Sequence, residues 1–432
     1  MPSTKVAVIG AGSASFGPWT VADVLRQEAL RGSLLTLVDI NREGLQLMLK
    51  LARRMSSEWG SGIKVTATAD RKRALREAEF VIVAIAVERE KRWRLDWEIP
   101  DRHGVRQPLG ENGGPGAVAH LCRNVPPIMD ICRDMERLCP QAWLFNFTNP
   151  VPRVARAVSR YTSIKVVGFC HQIGAAFGNI SRILGIERQQ LDIKAAGLNH
   201  FTWVLDVRDK RDGKDLYPAL RKKIGRMEPT FQPLTRAVFE AFGVFPAPGD
   251  GHLAEYLPWC HDLRTKPWEK YNLHLYDWGG AERSRGRMWQ NVEKMASGEE
   301  PIDHYRSGSG ERAVPVLVAV LSNLNQFELA LNIPNKGYIT NLPQDAIVEV
   351  PGVASGYGVT GLAMGDLPEP IASLCRRQIE ITDLAAKAAV EGDKQAALQA
   401  ILLDPMVSDI DAGKAILNDF LRVHRDLLPQ FS

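Results

Sequence analysis

Several short stretches of this sequence gather side chains that can bind a metal, move a proton or cradle a phosphate. Cys170-His171-Gln172 follows one apolar run, and Asn199-His200 follows another about thirty residues on. A thiol and an imidazole at Cys170 and His200 can hold a borderline divalent ion such as Mn²⁺ or Zn²⁺ if the fold brings them together. A buried thiol and a hydrogen-bonded histidine fit the same spacing. Asp250, His252, Glu255 and Tyr256 place two carboxylates, an imidazole and a phenol within seven residues, enough for acid/base work. Glu255 and Tyr256 would also suit a helix start. Asn146-Phe-Thr148-Asn149-Pro150 ends a further apolar run. Gly110-Glu111-Asn112-Gly113-Gly114-Pro115-Gly116, opening a helix at about Ala117, reads either as a flexible loop able to close over a ligand or as a plain helix-entry turn.

At the start of the chain, Lys5–Ile9 runs into Gly10-Ala-Gly12-Ser13-Ala14-Ser15-Phe16 and then a helical pattern extending to about Leu30. Gly10 permits a tight turn, and Gly12 lets backbone approach a pyrophosphate seated on the helix N-terminus. Ser15 stands where the dinucleotide fingerprint usually has Gly or Ala. Asp39 ends the second apolar run, where a carboxylate accepts from ribose hydroxyls and repels a 2′-phosphate. Gly10, Gly12, Ser13, Ala14, Ser15, Phe16 and Asp39 are thus expected to bind a dinucleotide, NAD rather than NADP, with Arg42 close enough to blur the preference. A glycine-rich turn that binds nothing is the alternative.

Positioning these groups requires strands alternating with helices. Lys5–Ile9, Leu34–Val38, Lys64–Ala67, Phe80–Ala84, Trp143–Phe147 and Lys165–Phe169 are candidate strands, with helical patterns such as Arg42–Arg54 and Leu121–Leu138 between them. This rhythm predicts a Rossmann-type doubly wound parallel sheet over residues 1–190, with ligands at the C-terminal strand ends. From about Leu191 the pattern becomes α+β: strand character over Asp192–Val207, an apolar helix over Glu311–Leu331, strand and turn over Asn332–Pro351, and helices over 368–428. Residues 191–432 are expected to form the substrate and oligomerisation domain. With 45% apolar and 24% charged residues and a net charge of +4, the chain has an ordinary soluble composition without the clustered basic stripe of a nucleic-acid binder. No apolar run is long enough to span a membrane, no export signal opens the chain, and its six cysteines show no CxxC pairing. A cytoplasmic location is expected.

Taken together these segments resemble glycoside hydrolase family 4, the NAD- and divalent-metal-dependent glycosidases. The resemblance rests on VAVIGAGSASF, LGENGGPGA at 109–117, NFTNP at 146–150, CHQIG at 170–174, GLNHFTW at 197–203, GDGHLAEYLPW at 249–259 and IPNKGYITNLPQDAIVEVP at 333–351. It implies Cys170 and His200 as the metal ligands, with manganese the expected ion. Asn149, His171, Gln172 and the loop residue Glu111 are implied on the substrate side, with Asp250 as the base at sugar C2 and Tyr256 and His252 as its rivals. It implies transient oxidation at C3 by NAD, loss of the C2 proton, elimination at C1, addition of water and return of the hydride, a scheme outside the usual two-carboxylate glycosidases. Family members acting on 6-phosphoglycosides carry Asp or Asn after the Cys. His171 at that position favours a non-phosphorylated α-glycoside, a neutral sugar or a hexuronide, for which arginines around Arg283–Arg287 could hold an acidic group. A homodimer or homotetramer is implied. Two other readings are an NAD-dependent hydroxy-acid dehydrogenase of the malate or lactate type, with net oxidation, and an NAD-sensing protein without turnover. The first leaves Cys170 and His200 without a task, and the second leaves the 250–256 cluster without one.

Overall fold

The computed structural model describes residues 3–432. Six parallel strands open the chain: β1 (Lys5–Ile9), β2 (Leu34–Val38), β3 (Lys64–Thr68), β4 (Phe80–Val83), β5 (Trp143–Asn146) and β6 (Lys165–Gly168). They lie in the order β3-β2-β1-β4-β5-β6, the doubly wound arrangement whose crevice opens at the carboxyl ends of β1 and β4. Alternate residues of β1 enter different cores. Val6 and Val8 pack on the side of helix Arg42–Trp59, and Ala7 and Ile9 on the side of helix Gly114–Leu138. Both faces being covered is why these strands are continuous apolar runs.

The second half continues the same sheet with antiparallel strands. These are β7 (Leu191–Leu198), β8 (Phe201–Asp209), β9 (Phe245–Pro246), β10 (Gln326–Pro334), β11 (Ile347–Ser355) and β12 (Gly358–Gly361). From β6 outward the order is β10-β11-β7-β8-β9, with β12 on β11. Two seams are narrow: β6 meets β10 through Gly168 and Asn332, and β11 meets β7 through Glu349 and Gly197. A Cβ on Gly168 would lie 2.4 Å from Val151 Cγ1 and 3.0 Å from Asn332 Cβ, so only glycine allows this approach.

Two sequence expectations shift. The apolar stretch 311–331 is not one helix: helix Ala313–Ser322 stops at Asn323, which takes a left-handed φ of 52°, and β10 begins at Gln326. Asparagine tolerates that conformation at low cost, so it ends the helix and turns the chain into the sheet. The helix expected to open at about Ala117 begins at Gly114, so the end of the glycine loop itself forms its first turn. Among the described residues no helix is long and apolar enough to cross a membrane.

Behind the sheet, helices Arg89–Arg102, Gly114–Leu138 and Ile410–Val423 are joined by Asp96, which is fully buried. Arg123 grips both its oxygens at 2.5 Å, and His424 Nε2 lies 2.9 Å away, just past the third helix. Although burial opposes ionisation, the Arg123 charge, the nearby His120 and His424 rings and the Arg123 hydrogen bonds hold the Asp96 carboxyl well below the usual range. Removing one partner of a buried pair strands the other. Asp96→Ala is expected to destabilise the fold by about 3–5 kcal/mol, as read from urea unfolding followed by circular dichroism; a loss below about 1 kcal/mol would show that Arg123 finds other partners.

Candidate active site

The first βα turn is built for close approach. Gly10 has φ +91°, and a Cβ there would sit 2.0 Å from the Ala84 carbonyl oxygen after β4. Gly12 N–H donates to Asp39 Oδ2 at 2.8 Å, while Asp39 Oδ1 accepts from Asn41 N at 2.8 Å. Each oxygen keeps a lone pair for a ribose hydroxyl. The third glycine role is not taken at Ser15. It falls to Gly17, where a Cβ would meet the Ala11 carbonyl oxygen at 2.4 Å and Met48 Cε at 2.8 Å. Ser13 to Phe16 form an extra turn before the helix begins at Gly17: Gly17 N–H donates to Ser13 O, Ser13 and Ser15 hydroxyls meet at 3.2 Å, and the Phe16 ring packs on Phe147. Ala14 packs against the core.

Cys170 and His200 are brought together, with Sγ 3.2 Å from Nε2. Cys170 lies just past β6, and His200 occupies the two-residue turn between β7 and β8 with φ +59°. The turn is held from below by Glu349, which is buried on β11. Its carboxylate accepts from Asn199 Nδ2 at 2.9 Å, Thr202 Oγ1 at 2.7 Å and Asn332 Nδ2 at 3.1 Å. Burial, then the Glu349 charge, push the Cys170 thiol up to about 12. Burial and the neighbouring histidines drive His200 well below the ordinary imidazole range, so its ring is neutral. A neutral imidazole is ready to ligate, whereas a thiolate here requires a cation beside it. Glu349 was not legible as a site residue. Its signal was a lone charge inside the apolar run Ile347–Val350.

The expected acid/base cluster divides three ways. Asp250 spends both oxygens capping helix Pro233–Phe242, accepting from Leu234 N at 2.9 Å and from Thr235 N and Oγ1 at 2.8 and 2.7 Å. Tyr256 is buried with its ring stacked on Phe201, and burial lifts its phenol well above the usual range. His252 alone faces the thiol–imidazole pair: its ring centroid is 4.1 Å from that of His200. Its Nδ1 lies 2.9 Å from Glu255 Oε1, and ligand atoms of His200, His252 and Glu255 fall within 4.8 Å of one another. Burial opposes the charged ring, but the Glu255 hydrogen bond and charge prevail and raise His252 above its ordinary value.

The substrate-side candidates surround this group unevenly. Gln172 is buried, and neither its amide oxygen nor its nitrogen has a partner among the described residues. His171 is largely exposed and bonds Glu311 through Nδ1 at 2.6 Å. Asn149 is half-buried in the turn after β5, beside Thr148, whose hydroxyl accepts from Ile85 N at 2.9 Å. Glu111 reaches Arg89 at 3.5 Å. The loop expected to be flexible is tied at consecutive amides: Gly113 N donates to Glu255 Oε2 at 3.3 Å and Gly114 N to Asp404 Oδ2 at 3.0 Å. Arg283 and Arg287 form no ion pair among the described residues, while Arg285 pairs with Glu90.

Burial pushes the Asp404 carboxyl up to about 6, against the Met406 and Gly114 amides and the Arg153 charge. A carboxyl raised on folding binds its proton more tightly in the folded chain, so its stabilisation is complete below the unfolded value and lost as pH rises through 6. Relative to Asp404→Asn, the unmodified chain is therefore expected to lose about 2 kcal/mol between pH 4 and pH 7, measured by urea unfolding across that range. A flat difference would contradict this assignment.

A family model described as family 4 glycosyl hydrolase matches residues 5–186, and one for the C-terminal domain of the same family matches residues 195–407. An α-glucosidase from Erwinia rhapontici is 33% identical, covering 93% of this chain and 94% of its own. An α-galactosidase from Bacillus subtilis (strain 168) is 32% identical over 99% of both. The solved structure of a putative glucosidase from Bacillus subtilis superposes with a TM-score of 0.88 at 27% identity, covering 98% of this chain and all of that one. A malate dehydrogenase from Cryptosporidium parvum reaches only 0.52 at 17% identity, covering 90% of this chain and all of its own, a likeness of fold. The motifs, the continuous sheet and the matches over both halves together establish that the chain belongs to glycosyl hydrolase family 4.

Proposed function

We propose that the chain hydrolyses a non-phosphorylated α-glycoside of a neutral hexose, using NAD and a divalent ion, manganese first. The observation that carries this reading is the meeting of two pairs, Cys170–His200 and His252–Glu255, just past the carboxyl end of β6 in the sheet that also carries the dinucleotide-type βα turn. When bound, the two cofactors supply a reversible hydride acceptor for sugar C3 and a Lewis acid for its oxygen, which together acidify the C2 proton. Solved family-like enzymes described as 6-phospho-α-glucosidase and 6-phospho-β-glucosidase carry both NAD and manganese.

Residues 1–190 would hold the dinucleotide through Gly10, Gly12, Ser13 to Phe16 and Asp39, and residues 191–432 would supply most of the substrate side. Cys170 Sγ and His200 Nε2 would hold the ion, whose charge offsets the thiolate and the buried Glu349. His252 Nε2 takes the C2 proton, while Glu255 fixes the ring by accepting from Nδ1. This assigns the base to His252 rather than Asp250, whose carboxylate is committed to its helix cap. The electron pair left at C2 expels the leaving group from C1, water adds there, and His252 returns the proton. Gln172 offers one free donor and one free acceptor, which suit a sugar hydroxyl; no cation is needed to satisfy it, which favours a neutral sugar over a hexuronide. Asn149 and Glu111 line the sugar's approach. The names of the relatives, α-glucosidase and α-galactosidase, support the α-linkage.

Aryl α-glucosides and α-galactosides should be cleaved in D₂O with NAD⁺, Mn²⁺ and reductant, placing deuterium at C2 with no accumulation of NADH. Steady NADH formation without cleavage would instead support a dehydrogenase. His252→Ala should lower kcat and C2 exchange together by ~10²–10⁴-fold, whereas Asp250→Asn should lower thermal stability and spare exchange. The reverse pattern would return the base to Asp250. Cys170→Ser should abolish Mn²⁺ binding, read by electron paramagnetic resonance, while NAD binding persists.

A further inference from the structure

Beside the site lies a small, partly open cavity of about 20 Å³; the Asp383 carboxylate in its lining is bound to Arg156, and the lining also includes Asn112, Arg153, Asn199 and Tyr256. Each of these last four belongs to a different catalytic segment: the glycine loop, the helix after the NP turn, the turn that carries His200, and the acid/base cluster. Arg153 is 2% exposed, and its Nη1 has no hydrogen-bond partner among the described residues. Among the described residues no carboxylate reaches it; Asp404 and Glu255 act on it only through space. Asn112 is buried as well, and its Oδ1 is unpartnered.

A buried guanidinium without a contacting counter-charge is costly, and buried charges are normally paired. Water could satisfy a hydrogen bond here but could not balance the charge. The volume suits one occupant of about the size of a water molecule. The donors around it are the Arg153 guanidinium, the Tyr256 hydroxyl and the Asn112 amide, whose oxygen and nitrogen exchange places by a half-turn of the side chain. We propose that this cavity is an internal site for a small monovalent anion of the halide class, held by Arg153, which clamps the four catalytic segments together.

The proposal stands apart from the enzymatic reading, because its readout is the unfolding of the whole chain without substrate or cofactor. The chain is exchanged into sodium gluconate, whose anion is too large for the cavity, and titrated with sodium chloride or bromide at constant ionic strength. Saturable stabilisation by chloride and bromide, raising the unfolding midpoint by at least ~2 °C over gluconate, is expected. Arg153→Met should fold without this response, and a crystal soaked in bromide should give an anomalous peak beside Arg153. Equal midpoints in chloride and gluconate would overturn the site, as would an undiminished response in Arg153→Met. If that variant fails to fold, the chloride–gluconate comparison and the bromide peak decide the matter in the unmodified chain.

Discussion

A buried carboxylate that no cation contacts among the described residues lies where the two halves of the sheet join. Glu349 is buried on β11, and neutral donors from three strands or their turns converge on it: Asn199, Thr202 and Asn332. Two of the sheet's narrow seams pass through the same residues, since Asn332 pairs with Gly168 and Glu349 with Gly197. The antiparallel half is therefore joined to the parallel half through the group that sets the His200 turn. The same charge lifts the Cys170 thiol. Low local dielectric strengthens both effects. A cation shared by Cys170 and His200 would settle the thiolate and the buried carboxylate at once.

The relation to the dehydrogenase fold is instructive. A malate dehydrogenase shares the architecture at modest similarity, and the first six strands are what such enzymes use to hold a dinucleotide. What differs lies beyond β6: a thiol directly after the strand, an imidazole at a hairpin tip and a second imidazole braced by Glu255. A fold does not dictate a reaction, and in the function proposed above these added groups are what would turn such a scaffold toward bond cleavage.

Much of this arrangement was legible in the sequence. The six parallel strands follow from short Val/Ile/Ala runs separated by amphipathic stretches, and the observed bounds differ from the expected ones by a residue or so. Cys170 and His200 were visible as residues, but only contact in space could choose between a ligand pair and two packed side chains. The division among Asp250, His252 and Tyr256 was hidden, because all three lie within one turn-rich segment and differ only in where their side chains lead. Asp250 was drawn off by the exposed amides at the start of helix Pro233–Phe242, a demand invisible without tertiary structure. Gly17 escaped notice because an extra turn displaces it beyond the usual fingerprint spacing. Glu349 and Arg153 carried only the weak signal of charge within apolar sequence.

The turn that carries His200 has a final implication. Only Asn199 and His200 separate Leu198 from Phe201, which face each other across the hairpin, and the ladder already carries one irregularity at Lys194 and Ala195. Strand side chains alternate sides at every residue. Gain or loss of a single residue between that irregularity and the tip would swing the imidazole to the opposite face of the sheet. A change in length leaves the imidazole in place only at the far end of the hairpin, around Asp209 to Gly213, and efforts to graft new specificity onto this scaffold should insert sequence there rather than near the tip.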